Sequence, residues 1–272
     1  MRDPAVAGTF YPGDPRSLET LIDTLLSGAK GPLYAGTIAG MILPHAGYAY
    51  SGPAASLGYV LLAGKVFDRV VIVSPSHREY FDGISVFDGD GYRTPLGDLL
   101  VDHEARKELV ADDPLIGASR LGHRQEHAIE VHLPFLRKVL GDVRIVPIVM
   151  GEQKRDYCLH LGTRLAEVFT GTNTLFIASS DLSHYHPYQE AESLDSVTIG
   201  DVERFDYEML LSDLEAERTE ACGGGPMAAV LAATRQLGAN RAEILCHCNS
   251  GDVTGDRTSV VGYLSSVLLT RN

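Results

Sequence analysis

Several features that mark particular protein classes are scarce or absent in this chain of 272 residues. It has only four cysteines, Cys158, Cys222, Cys246 and Cys248, too few for a disulfide-stabilised scaffold. No apolar run approaches the roughly 20 residues of a membrane-spanning helix, and the amino terminus lacks the apolar segment of a secretory signal. Basic residues number 23 against 36 acidic ones, which argues against nucleic-acid binding. We therefore predict a cytoplasmic protein that binds neither nucleic acids nor membranes.

What the chain does have is a globular composition, with 44% hydrophobic residues, and a regular alternation of two sequence patterns. Short apolar, β-branched runs predict buried strands, and amphipathic runs between them predict helices. This alternation is typical of an α/β sheet covered by helices on both faces. We predict a single domain over residues 1–272 with a central, mostly parallel sheet. The predicted strands are 37–43, 69–74, 84–87, 144–150, 174–179, 243–248 and 259–269, and the predicted helices are 15–27, 53–62, 103–110, 133–140, 156–169, 202–211 and 226–236.

Three histidines follow predicted strands directly: His45 after 37–43, His77 after 69–74 and His184 after 174–179. Ligands of open α/β sheets bind outside the carboxyl ends of the strands, so these imidazoles are candidates for a common site. Two imidazoles and one carboxylate, with coordination positions left open, form the ligand set of many non-haem Fe(II) centres. Asp252, Asp181 and Glu130 are candidates for the carboxylate, and their spacing does not choose among them.

The remaining histidines have weaker contexts. Residues 126–134 hold Glu126, His127, Glu130 and His132 before a proline, which predicts a turn followed by a helix, with His132 packing or capping. His247 alternates with Cys246 and Cys248 in a predicted strand, so it should face away from both thiols. We predict surface or structural roles for His103, His123 and His160.

Taken together, the motifs resemble those of the Memo family. The resemblance extends over nearly the whole chain, and its order of motifs makes it specific. The segments that carry it are 4–12, 44–48 (PHAGY), 50–52 (YSG), 74–77 (SPSH), 94–97 (TPLG), 126–136, 179–185, 221–223 (ACG) and 250–252 (SGD).

Memo proteins are similar in fold to the class III extradiol (LigB-like) dioxygenases, so the resemblance implies that fold. It also implies a divalent metal, for which Fe(II) is the expected ion and Cu or Zn are alternatives. It implies that His45 and His77 are metal ligands, that His184 is the acid/base group and that His127 contacts the substrate. Counting back from Thr258 aligns Asp252 with a metal-binding cysteine of animal family members. Asp252 is therefore the expected third ligand, with Asp181, Cys246 and Cys248 as alternatives.

For function, the resemblance favours a non-haem Fe(II) oxidoreductase acting on a small molecule such as an ortho-diphenol. One alternative is a binding or adaptor protein whose vestigial pocket takes a phosphopeptide, lined by Tyr11, Tyr48, Tyr50 and Arg78. A metal-dependent hydrolase is another, because metal-bound water beside a histidine base can hydrolyse substrates. Microbial relatives further imply a functional association with a radical-SAM protein and an AMMECR-type protein.

Overall fold

A computed structural model describes residues 1–30, 34 and 36–270 of the chain. Its strands are mostly short and buried. They are β1 (Thr37–Leu43), β2 (Arg69–Pro75), β3 (Ile84–Phe87), β4 (Gly91–Tyr92), β5 (Leu99–Leu100), β6 (Ile116–Ser119), β7 (Arg144–Met150), β8 (Thr174–Ser179), β9 (His184–His186), β10 (Ala239–Asn249) and β11 (Val260–Thr270).

The main sheet has the strand order β10-β11-β1-β8-β2-β7-β3-β6, and β9 pairs with β11. The four central strands β1, β8, β2 and β7 run parallel to one another. On one side of them, β11 runs antiparallel to β1, and β10 runs antiparallel to β11. On the other side, β3 runs antiparallel to β7. Parallel strands expose no face to water, which explains the continuously apolar runs of β2, β7 and β8. The predicted α/β class, with a mostly parallel central sheet flanked by helices, is confirmed.

Helices cover both faces of the sheet. One hydrophobic core lies under α1, α2 and α4, and the other lies under α5, α7 and α8. None of the described helices is both long enough and apolar enough to cross a membrane. The helices are α1 (Pro15–Gly28), α2 (Tyr48–Tyr59), α3 (His103–Leu109), α4 (Leu133–Leu140), α5 (Arg155–Phe169), α6 (Tyr188–Glu203), α7 (Tyr207–Glu215), α8 (Gly224–Gln236) and α9 (Ser250–Thr254).

Two helix predictions were wrong at their boundaries. The predicted helix 202–211 is divided between α6 and α7, because Phe205 adopts φ 58° and Asp206 caps the amide of Met209 at the start of α7. A side-chain oxygen that satisfies a free amide in this way begins a helix. Helix α2 begins at Tyr48 rather than at Pro53, so its first turn follows directly from the loop that carries His45.

Candidate metal centre

The carboxyl ends of three adjacent parallel strands bring the predicted histidines together. His45 follows β1, His77 follows β2, and the segment after β8 leads to His184, while β8 lies between the other two strands. These residues line a cavity of about 450 Å³ at the sheet edge. Its lining is Thr9, Phe10, His45, Ala46, Gly47, Tyr50, His77, His127, Asp181, His184, Tyr185, Val261 and Tyr263.

The imidazole of His45 is buried and is held in one tautomer by Ser179. The Ser179 hydroxyl donates its single hydrogen to the carbonyl of Ala128 at 2.7 Å. It must therefore accept from Nδ1–H of His45, which lies 2.7 Å away. The backbone N–H of His45 donates to Asp181 at 2.8 Å, which fixes the loop. Nε2 of His45 consequently keeps its lone pair, as a metal ligand requires.

His77 is oriented by the buried carboxylate of Glu126. Nδ1–H of His77 donates to Glu126 Oε1 at 2.9 Å, and its backbone N–H donates to Oε2 at 2.5 Å. The hydrogen bonds from His77 hold the pKa of Glu126 down at about 2 against the effect of burial. A carboxylate on the far nitrogen of a ligating imidazole is the usual arrangement behind metal-binding histidines. Nε2 of His77 is therefore the nitrogen free for a metal.

The third side chain at this point is Cys222, from the loop before α8. Its sulfur lies 3.2 Å from Nε2 of His45, and the donor atoms of His45, His77 and Cys222 all lie within 4.8 Å of one another. Gly223 makes this approach possible, because a Cβ there would stand 2.2 Å from the carbonyl oxygen of Ser179. Only glycine lets the Cys222 loop pack directly against the end of β8.

The ionisable groups around this point are held largely in neutral forms. Burial, together with the neighbouring imidazoles, lowers the pKa of His45 well below its usual value. Burial also lowers the pKa of His127 to about 4, raises that of Asp181 to about 7 and raises that of the Cys222 thiol. A bound cation would lower the pKa values of Asp181 and Cys222 again, since it favours the carboxylate and the thiolate.

The donor set fits a single metal ion. Ligands bonded to one ion at about 2.0–2.3 Å stand about 3.5 Å apart, close to the observed separation of 3.2 Å between His45 Nε2 and Cys222 Sγ. The ring of His127 stacks on that of His77 with centroids 4.7 Å apart. The buried Nδ1 of His127 makes no hydrogen bond among the described residues and lies 3.2 Å from Glu126 Oε1.

Asp252, the expected third ligand, is not brought to this cluster. It lies in the first turn of α9, where one carboxylate oxygen accepts from the backbone N–H of Asn249 at 3.0 Å and the other accepts from the Tyr188 hydroxyl at 2.9 Å. The pair Asn249–Asp252 forms a capping box. The expectation is therefore corrected: the side chain that lies with His45 and His77 is Cys222, and Asp252 stabilises a helix terminus.

The other candidates for the third ligand have separate positions. Asp181 lies beside the cluster, with Oδ2 4.0 Å from Nε2 of His45. Glu130 is fully buried but accepts from Arg2, Tyr11 and the amides of residues 5 and 6, so it anchors the amino-terminal segment. Cys246 and Cys248 lie on β10 and are not among the residues lining the cavity.

His184 reaches the same cavity from β9. Its Nδ1–H donates to the carbonyl of Leu182 at 2.7 Å, which leaves Nε2 able to accept a proton. Burial lowers the pKa of His184, so the imidazole is neutral at pH 7. His184 is absent from the group of three converging donors. His184 therefore lies in the cavity but outside the cluster of His45, His77 and Cys222.

The remaining histidines lie outside the cavity lining. His132 is buried between the Tyr59 hydroxyl and Ser179, and His123 is buried beside the Tyr92 hydroxyl. His103 and His160 lie near Asp90 and Asp113 respectively. Sequence reasoning missed Cys222 as a donor. The adjacent Gly223, which permits a close backbone approach before a helix, was the local signal for it.

Comparison with known proteins places this site in a family. The sequence model described as Memo-like protein matches residues 2–267. A MEMO1 family protein of Nitrosopumilus maritimus is 36% identical over 271 residues, covering 97% of this chain and 98% of the relative. Another, from Methanosarcina barkeri, is 38% identical over 271 residues, covering 98% of this chain and 100% of the relative.

A solved structure supports the fold independently. An uncharacterized protein of Escherichia coli K12 superposes with a TM-score of 0.56 at 16% identity, over 86% of this chain and 100% of the other. At that identity the likeness concerns the fold alone. The family model and the relatives, which span nearly the full length of the sequence, show that this chain belongs to the Memo family.

Proposed function

We propose that this chain is a metal-dependent oxidoreductase that holds Fe(II) through His45, His77 and Cys222 and acts on a small chelating substrate of the ortho-diphenol type. The observation that carries the proposal is the convergence of these three donors within 4.8 Å, at the sheet edge where α/β proteins bind ligands. Two imidazoles and one anionic ligand leave coordination positions free. Bound Fe(II) would supply Lewis acidity and one-electron redox chemistry at those positions.

The residues around the three donors hold the two imidazoles ready to bind a metal. Ser179 and Glu126 each occupy the Nδ1 side of a ligating imidazole, so both rings present Nε2 without tautomeric exchange. The thiol in place of the expected carboxylate makes the donor set softer, and imidazole and thiolate also suit zinc and copper. Metal analysis therefore decides which ion is native.

His184 supports chemistry in addition to binding. His184 lines the cavity together with His45 and His77, and its neutral form at pH 7 can accept a proton from a substrate hydroxyl at Nε2. The hydrogen bond from Nδ1–H to the Leu182 carbonyl keeps the ring oriented while that proton is held. His127 lines the same cavity and would contact the bound substrate.

The shape and lining of the cavity favour a flat, partly apolar molecule. About 450 Å³ is at the small end of the usual range for ligand pockets. Phe10, Tyr50, Tyr185 and Tyr263 line the cavity together with the histidines. Aromatic side chains bind a flat ring through their faces and edges, while polar groups at the metal side would orient its hydroxyls.

The alternative function as a phosphopeptide-binding adaptor has less support. Of the four residues expected to line such a pocket, Tyr50 does so. The hydroxyls of Tyr11 and Tyr48 donate internally to Glu130 and to the carbonyl of Val131. Arg78 is exposed and is not in the cavity lining. The four tyrosine and arginine side chains therefore do not form one basic pocket.

Metal content and oxygen uptake test the proposal together. The chain is purified without chelators and analysed by inductively coupled plasma mass spectrometry, then loaded anaerobically with Fe(II) and assayed with a panel of ortho-diphenols. We expect about one metal per chain, lost in His45→Ala and His77→Ala. His184→Gln should keep the metal but slow turnover by roughly 10²–10⁴-fold, the usual contribution of an acid/base group.

Each other outcome counts against a defined part of the proposal. A wild-type chain that retains no metal overturns the metal centre itself. Retained metal without oxygen uptake overturns the oxidoreductase, and ester hydrolysis by the same protein would assign a hydrolase instead. Loss of metal in His184→Gln would make His184 a ligand and remove its proposed role in proton transfer.

A further inference from the structure

A pair of cysteines, Cys246 and Cys248, lies on β10, at the edge of the main sheet. A β-bulge follows Ile244, because Ile244 pairs with Ser266 whereas Cys246 pairs with the very next residue, Ser265. An extra residue in a strand reverses the face on which later side chains lie. Ile244 packs against the core on the α5 and α8 side. Cys246 and Cys248 therefore lie on the opposite face.

The two cysteines share that face with Ser265 and Tyr263, their partners across the ladder. His247 lies between them in sequence but faces the other way, where its Nε2 is 3.2 Å from Asp195 Oδ2. Ser265 is fully buried, and its Oγ has no hydrogen-bond partner among the described residues. The face around the cysteines thus contains a polar group that makes no hydrogen bond within the described part of the chain.

Both cysteines are half-buried. Both are free cysteines, and a hydrogen bond from the Cys248 thiol to the sulfur of Cys246 lowers the pKa of Cys246 to about 7. The same contact raises the pKa of Cys248. This hydrogen bond favours a thiolate at Cys246, the form that binds metals, and leaves the one remaining proton between the two sulfurs.

A disulfide is a poor fit for these positions. Residues two apart in an extended strand have Cα atoms about 6.6 Å apart, at the upper limit for a disulfide, and their parallel Cβ vectors cannot reach the required separation of about 3.8 Å. A bridging ion spans a longer gap. Two metal–sulfur bonds of about 2.3 Å cover up to about 4.6 Å between sulfur atoms.

We propose that Cys246 and Cys248 form a second metal site, separate from the His45 cluster, that binds a soft monovalent cation, Cu(I), between two thiolates. Thiolates select Cu(I) over harder ions. Structural zinc sites need four protein ligands, whereas the described residues include no third histidine, cysteine or carboxylate grouped with these two sulfurs. Binding releases the proton that the two thiols share.

The charges around the pair favour a cation. Asp252 and Glu192 both act on Cys248 and raise its pKa, so they oppose two bare thiolates. A monovalent cation between the sulfurs removes this repulsion, since the complex carries one negative charge instead of two. The acidic neighbours thus disfavour the empty dithiolate more than the Cu(I)-bound one.

An anaerobic titration with Cu(I), in competition with a chromogenic Cu(I) chelator, tests the site. The measurement is made in a His77→Ala/Cys222→Ala background so that the His45 cluster does not contribute. We expect about one Cu(I) per chain, and we expect Cys246→Ser or Cys248→Ser to weaken binding by at least about tenfold. Cys158→Ser, which alters a buried thiol, is the matched control and should change nothing.

A footprint on the unmodified chain serves as a second measurement if the variants fold poorly. Cu(I) should protect Cys246 and Cys248 from N-ethylmaleimide in the wild-type protein, as read by peptide mass spectrometry. X-ray absorption of the copper-loaded background variant should show two sulfur neighbours and no nitrogen. Copper retention that is unaffected by either serine variant, or a nitrogen neighbour in the spectrum, would overturn the proposal.

Discussion

The sulfur of Cys222 lies 3.2 Å from Nε2 of His45, although 177 residues separate them in sequence. The contact joins the loop after β1 to the loop before α8, with the end of β8 between them. Ser179, the last residue of β8, fixes the imidazole on one side. The close approach of Gly223 to its carbonyl positions the thiol on the other. One strand end therefore orients both candidate ligands.

The first prediction concerns the identity of the third ligand. Replacing Cys222 by alanine removes a donor, so metal affinity should fall by more than the roughly 10–100-fold typical of losing a supporting group. Asp252→Asn should leave metal affinity unchanged, because that carboxylate caps α9. Competition with a fluorescent chelator measures both. Strong loss in Asp252→Asn, with little in Cys222→Ala, would restore the carboxylate as the ligand.

The second prediction concerns Glu126, which accepts both the Nδ1–H and the backbone N–H of His77. In the wild type, the negative charge of Glu126 orients the His77 ring and makes its Nε2 a stronger metal ligand. Glu126→Gln removes that charge. Metal affinity should therefore fall by about 10–100-fold without complete loss of binding. The exposed Glu104 provides the control, and Glu104→Gln should bind metal as the wild type does. Equal affinities in both variants would mean that Glu126 does not support the site.

The third prediction concerns the buried ion pair that anchors the amino-terminal segment. Arg2 donates to Glu130 at 2.6 Å and to the carbonyl of His123 at 2.6 Å. Arg2→Met leaves the Glu130 carboxylate buried without its cation, which should lower the free energy of unfolding by about 3–5 kcal/mol. Urea denaturation followed by circular dichroism measures the change.

Arg93 offers a matched control for Arg2, because it forms an exposed pair with Asp3 in the same region of the chain. Solvent screens such a pair, so Arg93→Met should leave the unfolding midpoint almost unchanged. Similar losses in the two variants would show that the Arg2 pair is no stronger than a surface contact.

The fourth prediction concerns acid stability through His123. Burial lowers its pKa to about 4, whereas an unfolded histidine titrates near 6.5. Between these values the unfolded chain binds a proton that the folded chain does not, so stability decreases as pH falls from 6.5 to 4. The contribution over that range is roughly 3 kcal/mol, at about 1.4 kcal/mol per pH unit.

The pH dependence of the difference between variants isolates this effect. Urea denaturation of His123→Gln should show a shallower loss of stability from pH 6.5 to 4 than the wild type shows. His103→Gln alters a half-exposed histidine and should keep the wild-type slope. An unchanged slope in His123→Gln would mean that His123 titrates alike in the folded and unfolded chains.

Local pattern determined much of the fold and the histidines of the candidate site. The apolar runs of β1, β2, β7 and β8 are long enough to specify buried strands without reference to the rest of the chain. Because parallel strands end on one edge, a histidine placed directly after β1 or β2 must lie at that edge. His45, His77 and His184 could be grouped from sequence for this reason.

Only the tertiary structure brought Cys222 to the histidines. Cys222 follows no strand, and its position depends on how closely the loop before α8 packs against Ser179, a contact between segments far apart in sequence. Asp252 also follows a strand, as the histidines do. Its carboxylate, however, accepts a hydrogen bond from the backbone N–H of Asn249 in the capping box of α9. The bulge in β10 likewise decides which face of the sheet Cys246 and Cys248 occupy, namely the one opposite Ile244. Hydrophobic periodicity specifies elements, whereas close packing between distant segments specifies which polar atoms meet.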